Sequence, residues 1–156
     1  MVCGMHKSLL AIVLVLVLGA GSALAAQRAT PRDDVIIGTP GPDRINGKQG
    51  NDKIYGLGGN DRLLGGPGRD LLLGDAGNDT LTGGPGPDTM LGGAGNDKIN
   101  ALAGPGDIAV GGDGNDVIRA NDGARDVRIS CGRGHDRVYA DRGENVARDC
   151  EVVKRG

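Results

Sequence analysis

The chain has 156 residues, with 31 Gly, 7 Pro and 2 Tyr but no Phe or Trp, so the aromatic side chains that supply the largest burials in ordinary cores are almost missing. Its acidic residues are 18 Asp against 2 Glu, which excludes a helical protein, because Asp disfavours helix interiors and Glu is the better helix former. A formal net charge of −2 provides neither the basic balance that draws a nucleic acid partner nor a polyanionic tail.

In chain order, the N-terminal segment stands apart. A short n-region, Met1 to Ser8 with Lys7, leads into the apolar run Leu9 to Leu18 and then to Ala23-Leu24-Ala25. This is the three-part pattern of a secretory signal peptide cleaved after Ala25. The other reading is an uncleaved anchor, for which Leu9 to Ala26 would barely reach across a bilayer. Residues 1–25 are thus expected to be signal and 26–33 a short linker, and no membrane span is expected after cleavage. Loss of Cys3 with the signal leaves Cys131 and Cys150, an even pair that reads as one disulfide in an oxidising compartment.

From Gly38 the sequence divides without a gap into GTPGPDRIN, GKQGNDKIY, GLGGNDRLL, GGPGRDLLL, GDAGNDTLT, GGPGPDTML and GGAGNDKIN, ending at Asn100. These seven nonapeptides share Gly at positions one and four, Asp at six and an aliphatic residue at eight. A half-unit, Asp34-Val35-Ile36-Ile37, precedes them as a cap. Beyond Asn100 the Asp positions continue at 107, 116, 126 and 136, with a full unit GGDGNDVIR from Gly111 and Asn145 where the next Asp would fall. The regular array is therefore placed at residues 34–119, followed by a degenerate capping segment, 120–156, stapled by Cys131 and Cys150.

Each part of the unit has a physical reason. Repeated Gly implies a tight turn with backbone in the left-handed region or in close contact with something small. The three residues after Asp form a short strand that sends position eight to one side, so Ile45, Ile54, Leu63, Leu72, Leu81, Met90, Ile99 and Ile118 are the expected core. Two nonapeptides make one coil, and strands 18 residues apart pair in parallel. Stacking then puts Asp43, Asp61, Asp79 and Asp97 in one column and Asp52, Asp70 and Asp88 in another. At a strand spacing of about 4.8 Å these carboxylates repel unless a cation lies between them. Carboxylates and glycine-freed carbonyls suit a hard ion, and calcium tolerates six to eight irregular oxygen ligands.

The unit resembles the hemolysin-type (RTX) calcium-binding nonapeptide, GGxGxDxUx. The resemblance implies an all-β fold, a parallel β-roll or right-handed β-helix of nonapeptide repeats, with calcium held between neighbouring turns by the position-six Asp and turn carbonyls. Carried over residue by residue, the implied carboxylate ligands are Asp43, Asp52, Asp61, Asp70, Asp79, Asp88 and Asp97, with Asp107 and Asp116 following where the register loosens. Adjacent pairs within the columns imply about five ions in the regular block. Position two departs from Gly at Thr39, Lys48, Leu57 and Asp75, where altered affinity is expected without loss of the sites. Many relatives leave through a dedicated secretion machine and carry a catalytic or toxin domain, whereas this chain shows a Sec-like signal ahead of its repeats.

No HExxH, GxSxG or P-loop is present, His135 reads as a solvated turn residue, and Ser130 lacks triad support, so no catalytic residue is expected. Basic residues at position seven, Arg44, Lys53, Arg62 and Lys98, read best as neutralising the acidic turns, the alternative being a cationic stripe for a polysaccharide or a membrane. Tyr55, Leu71, Leu73 and Leu91 fall on one outer face as an apolar stripe that would suit self-association or a cell-surface partner. The expectation is a non-enzymatic, secreted, extracellular bacterial protein that folds with calcium. The alternatives are an adhesin or envelope-interaction module built on the same scaffold, and, further off, an accessory piece of a secreted enzyme or toxin.

Overall fold

A computed structural model describes residues 29–126, 128–150 and 152–155; the predicted signal peptide lies outside these residues. Every regular element among them is a strand. In chain order they are β1 (Val35–Ile37), β2 (Arg44–Asn46), β3 (Lys53–Tyr55), β4 (Arg62–Leu64), β5 (Leu71–Ala76), β6 (Thr80–Thr82) and β7 (Thr89–Ala94). They continue as β8 (Lys98–Asn100), β9 (Ile108–Asp113), β10 (Val117–Ala120), β11 (Arg128–Arg133), β12 (Arg137–Ala140) and β13 (Val152–Arg155). Odd-numbered strands β1 to β11 form one sheet and β2 to β12 the other, with β13 added beyond β12. All pairings are parallel, so the chain is a parallel β-solenoid, a β-roll. No helix among the described residues is long and apolar enough to cross a membrane.

The nine-residue period produces this architecture because each strand is only a few residues long and is flanked by glycine-rich turns. Period-two alternation exposes positions seven and nine of each unit and buries position eight. The inner row of the first sheet is Ile36, Ile54, Leu72, Met90, Ala109 and Ile129, and that of the second is Ile45, Leu63, Leu81, Ile99, Ile118 and Val138, none more than 3% exposed. Register aligns these rows residue on residue, for example Ile54 with Leu72 and Leu72 with Met90. Each such side chain contributes roughly 1.5–3 kcal/mol by burial, which compensates for the missing aromatics.

The turns are bonded from coil to coil as well. The N–H of Gly47 donates to Leu64 O at 2.8 Å and that of Gly56 to Leu73 O at 2.7 Å. From β5 onward the first sheet runs on into the turn, so that Ala76, Ala94 and Asp113 also pair. Past residue 119 the same two sheets continue through β11 and β12. There the Cys131–Cys150 disulfide ties the closing segment to β11, and Asp149 accepts from Ser130 Oγ at 2.7 Å and from Gly132 N–H at 3.1 Å.

Candidate metal centre

From the second nonapeptide through the seventh, the turn that carries the position-six Asp is built on left-handed backbone at positions two and four, whereas Thr39 and Gly41 of the first are not left-handed. Gly66 and Gly68 show it with φ of 114° and 147°. Where position two is not glycine, Lys48, Leu57 and Asp75 nevertheless take φ of 77°, 75° and 68°, a conformation that costs an L-residue roughly 1–2 kcal/mol. Glycine at position one serves a different purpose. A Cβ on Gly38 would stand 2.7 Å from Asp43 Oδ2 and 2.7 Å from the carbonyl oxygen of Gly56 one coil on. Its absence leaves room for a carboxylate and a carbonyl side by side.

The carboxylates form two continuous ladders. In the first, the N–H of Asp43 donates to Asp61 Oδ1 at 2.8 Å, and Asp61, Asp79, Asp97 and Asp116 donate onward in turn to Asp79, Asp97, Asp116 and Asp136. In the second, Asp34 donates to Asp52 Oδ1, and the chain of bonds passes through Asp70, Asp88 and Asp107 to Asp126. The Asp126 N–H then donates to Glu144 Oε2 at 2.9 Å. All nine sequence-predicted ligands therefore stand in the two columns, and each is buried. Sequence reasoning left Asp126 and Asp136 out of the ligand set and assigned the last rung to Asn145. The longer side chain of Glu144, one residue earlier, takes that rung instead.

Beyond the first rung of each column, one oxygen of each Asp is spent on the ladder and the other has nothing. Oδ2 of Asp52, Asp61, Asp70, Asp79, Asp88, Asp97, Asp107, Asp116, Asp126 and Asp136 is buried without a hydrogen-bond partner, a costly state for a polar atom in the absence of a ligand. Burial pushes Asp52, Asp61, Asp97, Asp107 and Asp116 up to about 6 and Asp88 and Asp126 up to about 7, and it raises Asp70 and Asp79. The backbone N–H that each carboxylate accepts offsets part of this, and neighbouring carboxylates add to it. Among the described residues no three His, Cys, Asp or Glu side chains converge. Any ion here would draw on carboxylates and on turn carbonyls together, an all-oxygen donor set that fits calcium.

The two ends of the ladders differ from the middle. At the N-terminal end, Thr39 donates its N–H and its Oγ1–H to Asp43 Oδ2, and Thr30 does the same for Asp34. Hydroxyls there satisfy Oδ2 atoms of the kind left orphaned elsewhere, and on Asp43 it is Oδ1 that stays buried without a partner. Toward the C-terminal end, Ala101 and Ala120 occupy position one ahead of Asp107 and Asp126 in turns one residue longer, and Cys131 occupies it ahead of Asp136. Gly111, ahead of Asp116, keeps the regular form.

A second ladder, overlooked in the sequence, runs beside the first. Asn60, Asn78 and Asn96 at position five each accept, through Oδ1, the backbone N–H of the next asparagine in the column, and Asn115 accepts that of His135. The recurrence at 18-residue spacing would have shown it; the opposite column carries a short version, with Asn51 N–H donating to Asp33 Oδ1 and Arg69 N–H to Asn51 Oδ1, and at nine-residue spacing Arg69 and Pro87 interrupt the pattern.

Among curated proteins none matches the chain. The family model for the RTX calcium-binding nonapeptide repeat matches four times, at residues 29–63, 37–72, 73–105 and 106–124. Together these matches cover well over half of the sequence and the turns that carry all nine predicted ligands. With glycine-shaped turns, stacked buried carboxylates and this repeated match, the chain belongs to the RTX calcium-binding nonapeptide repeat family.

Proposed function

We propose that the chain is an exported, non-enzymatic calcium-binding β-roll whose coils are locked together when calcium fills the turns. The observation that carries this reading is the run of buried, unpartnered Oδ2 atoms along both columns. Asp43, Asp52, Asp61, Asp70, Asp79, Asp88 and Asp97 would hold about five ions in pairs, with Asp107 and Asp116 extending the set. Bound calcium supplies positive charge and ligand-accepting capacity between carboxylates that otherwise repel. Since binding favours the folded chain alone, calcium adds directly to stability. Affinity on the order of 10⁻⁴–10⁻³ M, the range of extracellular modules, would suit such a protein.

Calcium titration followed by far-ultraviolet circular dichroism, with bound metal counted in parallel, tests this. A rise in strand signal together with several bound ions is expected. An unchanged signal and no bound metal would overturn the reading.

A second reading, an envelope-interaction module, is favoured by the outer face of the first sheet. Register places Ile37, Tyr55, Leu73, Leu91 and Val110 in one apolar row, with Leu71 beside it.

A further inference from the structure

The carboxylate columns point inward, and most basic side chains of the strands point outward on a single sheet. Along the second sheet, register aligns Arg44, Arg62, Thr80, Lys98, Val117 and Arg137 in one row, and places Arg119 in the row beside it. All five cations are exposed. Neither row contains a carboxylate, and among the described residues the one ion pair, Arg133 with Asp113, lies elsewhere. These five cations therefore form no direct ion pair with the acidic turns, whose neutralisation was the reading that the sequence alone favoured. The strands of the first sheet carry Lys53, Arg128 and Arg133 as cations, the last of them paired with Asp113.

The edge of the cationic face adds further donors. Because the Oδ1 atoms of Asn60, Asn78, Asn96 and Asn115 accept backbone N–H groups, their Nδ2 hydrogens are left to donate outward. Two shallow clefts open there. One of about 410 Å³ is lined by Arg44, Arg62, Asn60 and Asn78 together with the ladder carboxylates Asp43 and Asp61, and one of about 330 Å³ by Asn115, His135 and Arg137 together with Asp116. Those carboxylates are buried, so what the outer surface itself presents is donors in line, a match for anionic oxygens.

We infer that the outer face of the second sheet binds a linear acidic polysaccharide lying along the solenoid axis. The row spans six strands, about 24 Å at a strand spacing of about 4.8 Å, and its charges stand in single file, as a linear polymer needs. A single-stranded nucleic acid would need aromatic stacking platforms, and the face has one aromatic side chain, Tyr139, whose ring is covered by Arg119 at 5.7 Å. An anionic bilayer would call for apolar anchors alongside the charges, and between β2 and β12 the outward apolar side chains of this face are Leu64, Val117 and Tyr139, all half-buried. The inference needs only the cationic row, so it stands or falls separately from calcium binding.

The probe is dextran sulfate, with neutral dextran as control, added to the full chain in calcium-containing buffer and measured by titration calorimetry at two salt concentrations. Binding that weakens with salt is expected, together with at least a tenfold loss in Arg44→Gln/Arg62→Gln and less than a twofold loss in Lys53→Gln/Arg128→Gln, which removes the same charge from the other sheet. Circular dichroism of both variants checks that the fold is retained. Equal losses in the two variants, no binding to dextran sulfate, or tighter binding to phosphatidylglycerol vesicles or to single-stranded DNA would each overturn the inference.

Discussion

At the scale of single residues, the turn depends on which positions tolerate a Cβ. In the regular turns a Cβ at a position-one glycine would meet the carboxylate, and from the second nonapeptide on positions two and four are left-handed. Leu57 violates the second condition without compensation. Its φ is 75° and its side chain is 42% exposed, so it gives up little burial in return. Replacing it with glycine relieves a strain of roughly 1–2 kcal/mol and adds about 0.5–1 kcal/mol of backbone entropy cost. Leu57→Gly is therefore expected to stabilise the calcium-loaded protein by about 0.5–1 kcal/mol in thermal unfolding. Leu57→Ala keeps the Cβ and with it the strain, so it should bring no gain; equal gains from both variants would show that the φ is not the cause. Thr39 belongs to another class, since its φ is not among the positive ones and its hydroxyl is engaged by Asp43.

At the scale of strands and sheets, the two outer faces have separated properties, apolar on one and cationic on the other. The apolar row from Ile37 through Tyr55, Leu73 and Leu91 to Val110 is continuous in register, a contiguity that marks association surfaces more often than scattered leucines do. If it joins two copies, Leu73→Lys with Leu91→Lys should reduce the sedimentation coefficient in calcium to that of a monomer. Sedimentation identical to the parent protein would remove self-association from consideration. Much of this was legible in advance: Gly at one and four, Asp at six and the aliphatic residue at eight each map to a physical task, and 18-residue stacking follows from them. The asparagine ladder was less legible because it is continuous in only one of the two columns, the other stopping at Arg69. Glu144 was hidden for another reason: an irregular turn let a longer side chain reach the rung from one residue away. The cationic face required knowing that the carboxylates turn inward, which a charge count cannot show.

For the whole molecule, the raised carboxylates set how calcium and protons compete. In the calcium-free fold, burial holds Asp52, Asp61, Asp97, Asp107 and Asp116 near 6 and Asp88 and Asp126 near 7, against a reference of 3.8. Between about pH 4 and 7 the folded chain then binds more protons than the unfolded one, so its stability falls as pH rises. The favourable contribution is full below about pH 4 and is lost as pH passes through the folded values. In chelator, the thermal midpoint should accordingly be highest near pH 4–5 and should drop toward pH 7.5. Calcium reverses the slope: an ion entering the turns displaces protons, so its affinity should rise across the same window and the calcium-loaded midpoint should climb or hold level. Melting curves at five pH values, each with chelator and with excess calcium, measure both slopes. A chelated protein that becomes more stable between pH 5 and 7 would show that the ladder carboxylates are ionised without a metal, and that the charges in the turns are balanced by some other means.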